Sequence, residues 1–113
     1  MKKSYRIRKN EEFSRIIKKK RYFANACFGV YIDNKQEENA RVGISVSKRL
    51  GDAVTRNKIK RQVRMMFLNI FNFDASNYDI VCIIKPKYLN NAYKENELEL
   101  EKLIKKAIIN EDK

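Results

Sequence analysis

Basic residues recur at regular spacing in the middle of the chain, and their side chains are able to bind anions. Arg56, Lys60 and Arg64 recur every four residues, so on a helix they form one row. Guanidinium groups can hold a phosphate through two hydrogen bonds, and lysine adds a mobile positive charge. No Asp or Glu falls within residues 53–70 to pair with these charges. The spacing therefore predicts a helix face that binds an external polyanion.

The helix that must position this row has a second, apolar side. Its apolar residues recur with helical spacing and are Ile59, Val63, Met66, Phe67 and Ile70. Thr55 is the predicted N-cap, and the helix should run to about Phe71. The free backbone N–H groups at its start would also suit an anion.

The other elements follow from similar patterns. A helix from about Asn10 to Lys19 should turn Phe13, Ile16 and Ile17 inward. Residues 22–33 and 41–47 predict two strands paired as a hairpin, and residues 78–85, apolar almost throughout, predict a central strand. A last helix begins near residue 91. The order α-β-β-α-β-α predicts an α+β protein, a small α/β sandwich with helices on a mixed sheet.

The charge of the chain is large and unevenly distributed. Its 113 residues, enough for one domain, carry 26 Lys and Arg against 14 Asp and Glu, a formal charge of +12. Residues 1–21 hold ten basic and two acidic side chains, and residues 1–9 form a basic arm. Residues 91–113 hold five basic and six acidic side chains. Such an imbalance favours association with nucleic acid or another anionic surface.

Several chemistries are excluded or disfavoured by composition. The chain has no His, and Cys27 and Cys82 form no C-x-x-C pair, so neither a His-based triad nor a redox or zinc motif is present. Both cysteines are expected to be inert buried thiols. The longest apolar run, residues 80–84, is too short to span a bilayer, and no signal peptide is visible. We expect a soluble cytoplasmic protein with no self-contained active site and no membrane partner.

The choice of polyanion rests on elimination. Duplex-DNA readers with one such helix usually dimerise or repeat, and no heptad or second helix-turn-helix is visible. A membrane surface would require exposed apolar residues beside the cationic row, whereas the apolar stripe is needed for the core. RNA remains the best physical interpretation. Phe13, Ile17 and Tyr31 could add a surface that stacks single-stranded bases, although aromatic residues in so small a chain are needed mostly for the core.

These residues resemble the protein subunit of bacterial ribonuclease P over nearly the whole chain. The likeness is carried by Gly51-Asp-Ala-Val-Thr-Arg-Asn-Lys-Ile-Lys-Arg-Gln-Val-Arg64, preceded by Arg41-Val-Gly-Ile-Ser-Val-Ser-Lys48, and by Arg8-Lys-Asn-Glu-Glu-Phe13 near the start. The resemblance implies three helices around a mixed sheet with a left-handed β-α-β crossover, against the usual rule for such units.

The resemblance also implies a function. The holoenzyme removes the 5′ leader of precursor tRNA, its RNA subunit is the catalyst and uses Mg²⁺, and the protein binds that RNA and the leader. No tightly bound cofactor and no protein partner are implied for the protein itself. By position, the implied RNA-binding residues are Lys48, Arg49, Arg56, Asn57, Lys58, Lys60, Arg61 and Arg64. The implied leader-binding cleft is formed by Phe13, Ile17 and Tyr31.

Four positions depart from the family pattern. Lys58 stands where the motif usually has arginine, which replaces a two-point phosphate contact by a point charge. Ile17 stands where an aromatic residue is common, which leaves apolar contact in place of stacking. Lys20 and Arg21 replace a glycine-containing turn, which predicts a longer first helix.

Two other functions fit part of the pattern. A non-enzymatic RNA-binding protein, such as a small ribosomal protein, would share the charge but would not need Phe13 and Tyr31 accessible on one sheet face. A nuclease acting alone would need clustered acids, whereas Asp74, Asp79 and the Glu37–Glu38 pair are scattered along the sequence.

Overall fold

The computed structural model describes all 113 residues, which form three helices and one four-stranded sheet. The elements in chain order are α1 (Asn10–Lys18), β1 (Tyr22–Ala24), β2 (Phe28–Asn34), β3 (Val42–Ser45), α2 (Ala53–Ile70), β4 (Tyr78–Ile84) and α3 (Tyr93–Glu111). Short 3₁₀ turns occupy Lys3–Tyr5, Lys48–Leu50 and Pro86–Asn90. The α+β class and the predicted order of helices and strands are confirmed.

The order of the strands in the sheet is β1-β2-β4-β3. Strand β4 is antiparallel to β2 and parallel to β3, so the predicted hairpin between residues 22–33 and residues 41–47 is wrong. Residues 35–41 are too long and too poor in Gly and Pro to force a tight hairpin. The most apolar strand instead takes the central position, where strands cover both of its edges, as predicted for residues 78–85.

Strand β3, helix α2 and strand β4 form a β-α-β unit between adjacent parallel strands. Because α2 connects the two strands, its position is fixed against the sheet at both ends. The left hand of this crossover stays a prediction from the family resemblance.

The segment predicted as one strand, residues 22–33, is folded into a short hairpin. β1 pairs with β2 in antiparallel register, which places Tyr22 opposite Tyr31. The turn is held by Asn25, whose side-chain oxygen accepts hydrogen bonds from the backbone N–H groups of Cys27 and Phe28 at 3.0 and 2.9 Å. An Asx-type turn of this kind gives no glycine or proline signal in the sequence.

The two faces of the sheet are covered unequally. Helices α2 and α3 cover one face with a core of 22 buried residues, which includes Phe28, Val63 and Phe67. The other face carries only α1 and a small cluster of Ile7, Ile16 and Val81. The predicted inward face of α1 is therefore only partly buried, and the sheet beside it stays open to solvent.

Helix α1 does not lengthen as the missing glycine had predicted. It ends at Lys18, and Lys20 adopts a left-handed backbone with φ of 58°. Lys20 thus keeps the turn geometry, although its Cβ makes the left-handed backbone sterically unfavourable. The chain needs this sharp reversal because β1 must begin at Tyr22 to pair with β2.

No helix is long and apolar enough to cross a membrane. Cys27 and Cys82 are free and buried, as predicted, and burial raises the pKa of both thiols.

Candidate nucleic-acid interface

Helix α2 begins one turn earlier than the sequence indicated. The N-cap is Asp52, whose carboxylate accepts a hydrogen bond from the Thr55 N–H at 2.9 Å, so the prediction of Thr55 as the cap is wrong. That hydrogen bond lowers the pKa of Asp52, and the nearby charge of Arg56 adds to the effect. A carboxylate therefore already occupies the start of the helix, and the predicted anion site on its backbone N–H groups is not open.

The rest of α2 separates its apolar and cationic sides as predicted. Ile59, Val63, Met66 and Phe67 are buried in the core, and Ile70 packs at its edge. Asn57, Lys58 and Arg61 are exposed, and Arg56, Lys60 and Arg64 are half-buried beside them. We call the set of Arg56, Asn57, Lys58, Lys60, Arg61 and Arg64 the cationic face.

Lys48 and Arg49 extend the cationic face from the turn before α2. Ser47 caps that turn by accepting a hydrogen bond from the Arg49 N–H at 3.2 Å. Gly51 joins the turn to the helix with φ of 145°, and a Cβ there would lie 2.9 Å from the Thr55 side chain. Glycine is required at this joint, which fixes the two basic residues beside the helix start.

None of the basic side chains of the cationic face or of its extension forms an ion pair. The ion pairs within 4.0 Å involve other cations, namely Arg15, Arg21, Arg41, Lys94, Lys102 and Lys105. A solvated structural helix would normally intersperse acids with such bases. The positive charge on α2 is therefore available to an external anion.

A separate network beneath α1 uses two arginines for structure. Asp33 and Asp79 lie opposite each other on β2 and β4, and Arg15 of α1 contacts them at 2.7 and 3.7 Å. The buried Arg41 joins Asp79 at 3.5 Å to Glu12 of α1 at 2.5 Å. These contacts hold α1 on the open face of the sheet.

The predicted cleft residues lie on this open face. The Phe13 ring covers Gly43, where a Cβ would come within 2.5 Å of it, so the close approach requires glycine. Phe13 and the exposed Ile17 line a depression of about 540 Å³, which Lys60 and Arg64 of the cationic face also line. Tyr31 lies on the same face and packs against the cluster of Ile16 and Val81, outside that depression.

Tyr22 is an aromatic residue of this face that the sequence analysis missed. Its ring lies 4.7 Å from that of Tyr31, centroid to centroid, and it covers Gly29. Tyr22 is 44% exposed, which makes it more accessible than Tyr31. Its one sequence signal is its position opposite Tyr31, which becomes visible only when residues 22–33 are divided into two paired strands.

The residues described include no group of three or more His, Cys, Asp or Glu side chains placed to hold a metal ion. An unpaired cationic helix face beside a half-covered sheet is the arrangement expected of a small α+β protein that binds a polyanion.

Comparison with known proteins gives the family. The family model for Ribonuclease P matches residues 1–108. The chain is 44% identical over 105 residues to the ribonuclease P protein component of Mesoplasma florum, which covers 92% of this chain and 96% of that protein. The chain belongs to the ribonuclease P protein family.

Solved structures agree with this assignment. The Staphylococcus aureus RNase P protein, 40% identical, superposes with a TM-score of 0.82 over 93% of this chain and 96% of that one. A mutant of the S. aureus protein, described as having defective mRNA degradation activity, is 41% identical and superposes with a TM-score of 0.83, over 93% of this chain and 89% of that one. The fold is thus shared across nearly the whole chain.

Proposed function

We propose that this protein is the RNA-binding subunit of a ribonuclease P holoenzyme that removes the 5′ leader of precursor tRNA. The observation that carries the proposal is the absence of any ion pair to the basic residues of the cationic face and its extension. Family membership supplies the partner, because the relatives are named as components of ribonuclease P. The RNA subunit is the proposed catalyst, and the proposed site of action is the cytoplasm.

Each surface has its own role in this proposal. The cationic face, with Lys48 and Arg49, would bind the sugar–phosphate backbone of the RNA subunit. The open sheet face, with Phe13, Ile17 and Tyr31, would receive the single-stranded leader through stacking and apolar contact. Lys60 and Arg64 border both surfaces, so an RNA strand could pass from one to the other without leaving positive charge.

Mg²⁺ belongs to the RNA subunit in this proposal. It would supply the electrostatic stabilisation and the activated water of phosphodiester hydrolysis. No step uses a metal ion held by the protein. The protein's own contribution is to position the substrate, and unneutralised cations near the RNA would also offset phosphate repulsion.

Reconstitution tests the proposal against the alternative of a structural RNA-binding protein. Precursor tRNA labelled at its 5′ end is incubated with Mg²⁺ and with the protein, with ribonuclease P RNA, or with both, at a salt concentration where the RNA alone is slow. We expect the protein alone to leave the precursor intact and the combination to release the leader at the mature 5′ end. Binding to the RNA without any gain in cleavage would favour the structural alternative.

A matched pair of variants sharpens this test. Lys58→Gln with Arg61→Gln removes two charges from the cationic face, and Lys102→Gln with Lys105→Gln removes two from α3. Only the first pair should weaken reconstitution. A messenger RNA is also incubated with the protein alone, because a mutant of the S. aureus protein is described as having defective mRNA degradation activity. Cleavage of either RNA by the protein alone would contradict the proposed division of labour.

A further inference from the structure

Arg6, in the N-terminal arm, lies next to the cationic face. It lines the 540 Å³ depression with Lys60 and Arg64, and it also lines a neighbouring one of about 420 Å³ with the same two residues. These three cations therefore surround the junction between the cationic face and the cleft. No sequence pattern distinguishes Arg6 from the other basic residues of the arm.

Arg6 is poorly satisfied within the protein. Its Nε is buried without a hydrogen-bond partner, and its only side-chain hydrogen bond is a long one of 3.4 Å to the carbonyl of Met1. A third depression brings acidic residues near Arg6, but none forms an ion pair with it within 4.0 Å. The terminal N–H groups of Arg6 hold only this long hydrogen bond and no ion pair, so they can donate to an external acceptor.

Arg64 lines the same two depressions from helix α2. Its pKa is lowered by burial and then by the charge of Arg6, while no carboxylate offsets either effect. Arginine side chains carry a positive charge at neutral pH. A small anion at this junction would relieve their repulsion and accept hydrogen bonds from both.

We propose that Arg6, Lys60 and Arg64 form one binding site for a single phosphodiester group of RNA. The site lies where a strand leaving the cationic face enters the cleft beside Phe13. It would fix the register of the strand by gripping one phosphate with two planar guanidinium groups and one ammonium. The inference rests on the proposed function for one point, namely that the polyanion is RNA.

Inorganic phosphate, titrated into ¹⁵N-labelled protein, tests the site without any RNA. The Nε–H signals of Arg6 and Arg64 should shift with one common saturable midpoint. Arg6→Gln should weaken the response at Arg64 at least fivefold, Arg6→Lys should restore part of it, and the arm control Lys2→Gln should leave it unchanged. Independent midpoints, or an unresponsive Arg6 signal, would overturn the site.

Salt dependence then identifies which RNA supplies the phosphate. The affinities of wild type and Arg6→Gln are measured against salt, once with ribonuclease P RNA and once with a single-stranded leader oligonucleotide. The log–log slope should fall by about 0.7–0.9 for the RNA that places a phosphate at the site. Unchanged slopes for both RNAs reject the site while leaving the proposed function intact. Failure of the wild type to reconstitute cleavage rejects the proposed function. In that case the phosphate titration still tests whether the site exists.

Discussion

Arg61 and Arg41 show that the same side chain serves two different purposes in this molecule. Arg41 is buried, pairs with Glu12 and Asp79, and holds α1 to the sheet. Arg61 is exposed on α2 and has no carboxylate within ion-pair distance. Net charge alone overstates the positive charge that RNA could meet, because the arginines beneath α1 are already neutralised.

Replacing Arg61 by Gln should reduce the salt dependence of RNA binding. If Arg61 contacts one phosphate, the log–log slope of affinity against salt falls by about 0.7–0.9, because one fewer counterion is released. Lys106→Gln removes an equal charge from α3 and should leave the slope unchanged. Filter binding across a salt series measures both slopes. Equal slopes for Arg61→Gln and wild type would show that Arg61 contacts no phosphate.

Replacing Tyr31 by Ala should weaken binding of leader-bearing precursor tRNA by about 1–3 kcal/mol, the usual contribution of one stacked base. Mature tRNA, which lacks the leader, should lose much less. Tyr31→Phe keeps the ring and serves as the control for folding, and Tyr22→Ala tests the neighbouring ring, 4.7 Å away. Equal losses of affinity for the two RNAs would show that Tyr31 supports the core and does not stack on the leader.

At the scale of elements, α1 is held by charge more than by apolar area. Only Ile16 of this helix is fully buried. Arg15 pairs with Asp33 of β2, and Glu12 pairs with Arg41, which precedes β3. The position of α1 sets the width of the cleft, because Phe13 and Ile17 project from it. The turn after α1 and the network beneath it are therefore the two places where sequence changes would alter the cleft.

Lys20→Gly should leave the protein as stable or make it more stable by up to about 1 kcal/mol. Glycine removes the Cβ cost of the left-handed backbone, and its greater freedom in the unfolded chain offsets part of that gain. Lys19→Gly is the matched control, because Lys19 has a helical backbone with φ of −68°. That variant should lose about 0.5–1 kcal/mol. Urea unfolding measures both, and equal losses would mean that Lys20 is not left-handed in solution.

Asp79 should make stability depend on pH. Burial raises the pKa of its carboxyl, against the opposing hydrogen bond from the Arg41 N–H and the charges of Arg41 and Arg15. As pH rises through about 4, the usual value, the unfolded chain releases this proton before the folded protein does. The contribution of Asp79 to the free energy of unfolding therefore falls between that pH and its folded pKa.

Asp79→Asn removes this ionisation and keeps a side-chain oxygen for the Arg41 N–H. The stability of the variant relative to wild type should increase as pH rises above about 4 and then level off. Urea unfolding from acid to neutral pH measures the difference, with the exposed Asp74→Asn as the charge control. A difference that does not change with pH would show that burial of Asp79 has no net cost.

At the scale of the whole molecule, a formal charge of +12 opposes folding. Most of the cations that form no ion pair lie in the cationic face, in its extension and in the arm, so their repulsion is concentrated there. The same arrangement would strengthen attraction to RNA, and RNA binding would in turn stabilise the fold by mass action.

Sodium chloride should therefore stabilise the free protein. The screening length falls from about 30 Å at 0.01 M to about 8 Å at 0.15 M, which weakens repulsion between exposed cations more than the half-buried pairs beneath α1. Thermal unfolding at the two salt concentrations measures the effect. A variant with Lys48→Gln and Arg49→Gln should gain less from salt, and a fall in stability with salt would show that the ion pairs outweigh the repulsion.

The class of fold, the two sides of α2 and the central position of β4 can all be predicted from the sequence. Each depends on local periodicity or on a continuous apolar run, and those signals survive without knowledge of distant neighbours. The missing acids of residues 53–70 likewise predicted that the charges of α2 would stay unpaired. Side-chain type and spacing along one helix were enough for that conclusion.

Strand pairing, the neutralisation of particular arginines and the grouping of residues in the cleft depend on tertiary contacts. β4 separates β2 from β3, Tyr22 meets Tyr31 through a hairpin without glycine, and Arg6 reaches Lys60 and Arg64 from the far end of the chain. These are contacts between residues distant in sequence or joined by an unmarked turn. They follow from how the layers pack, and no local pattern of residues encodes that packing.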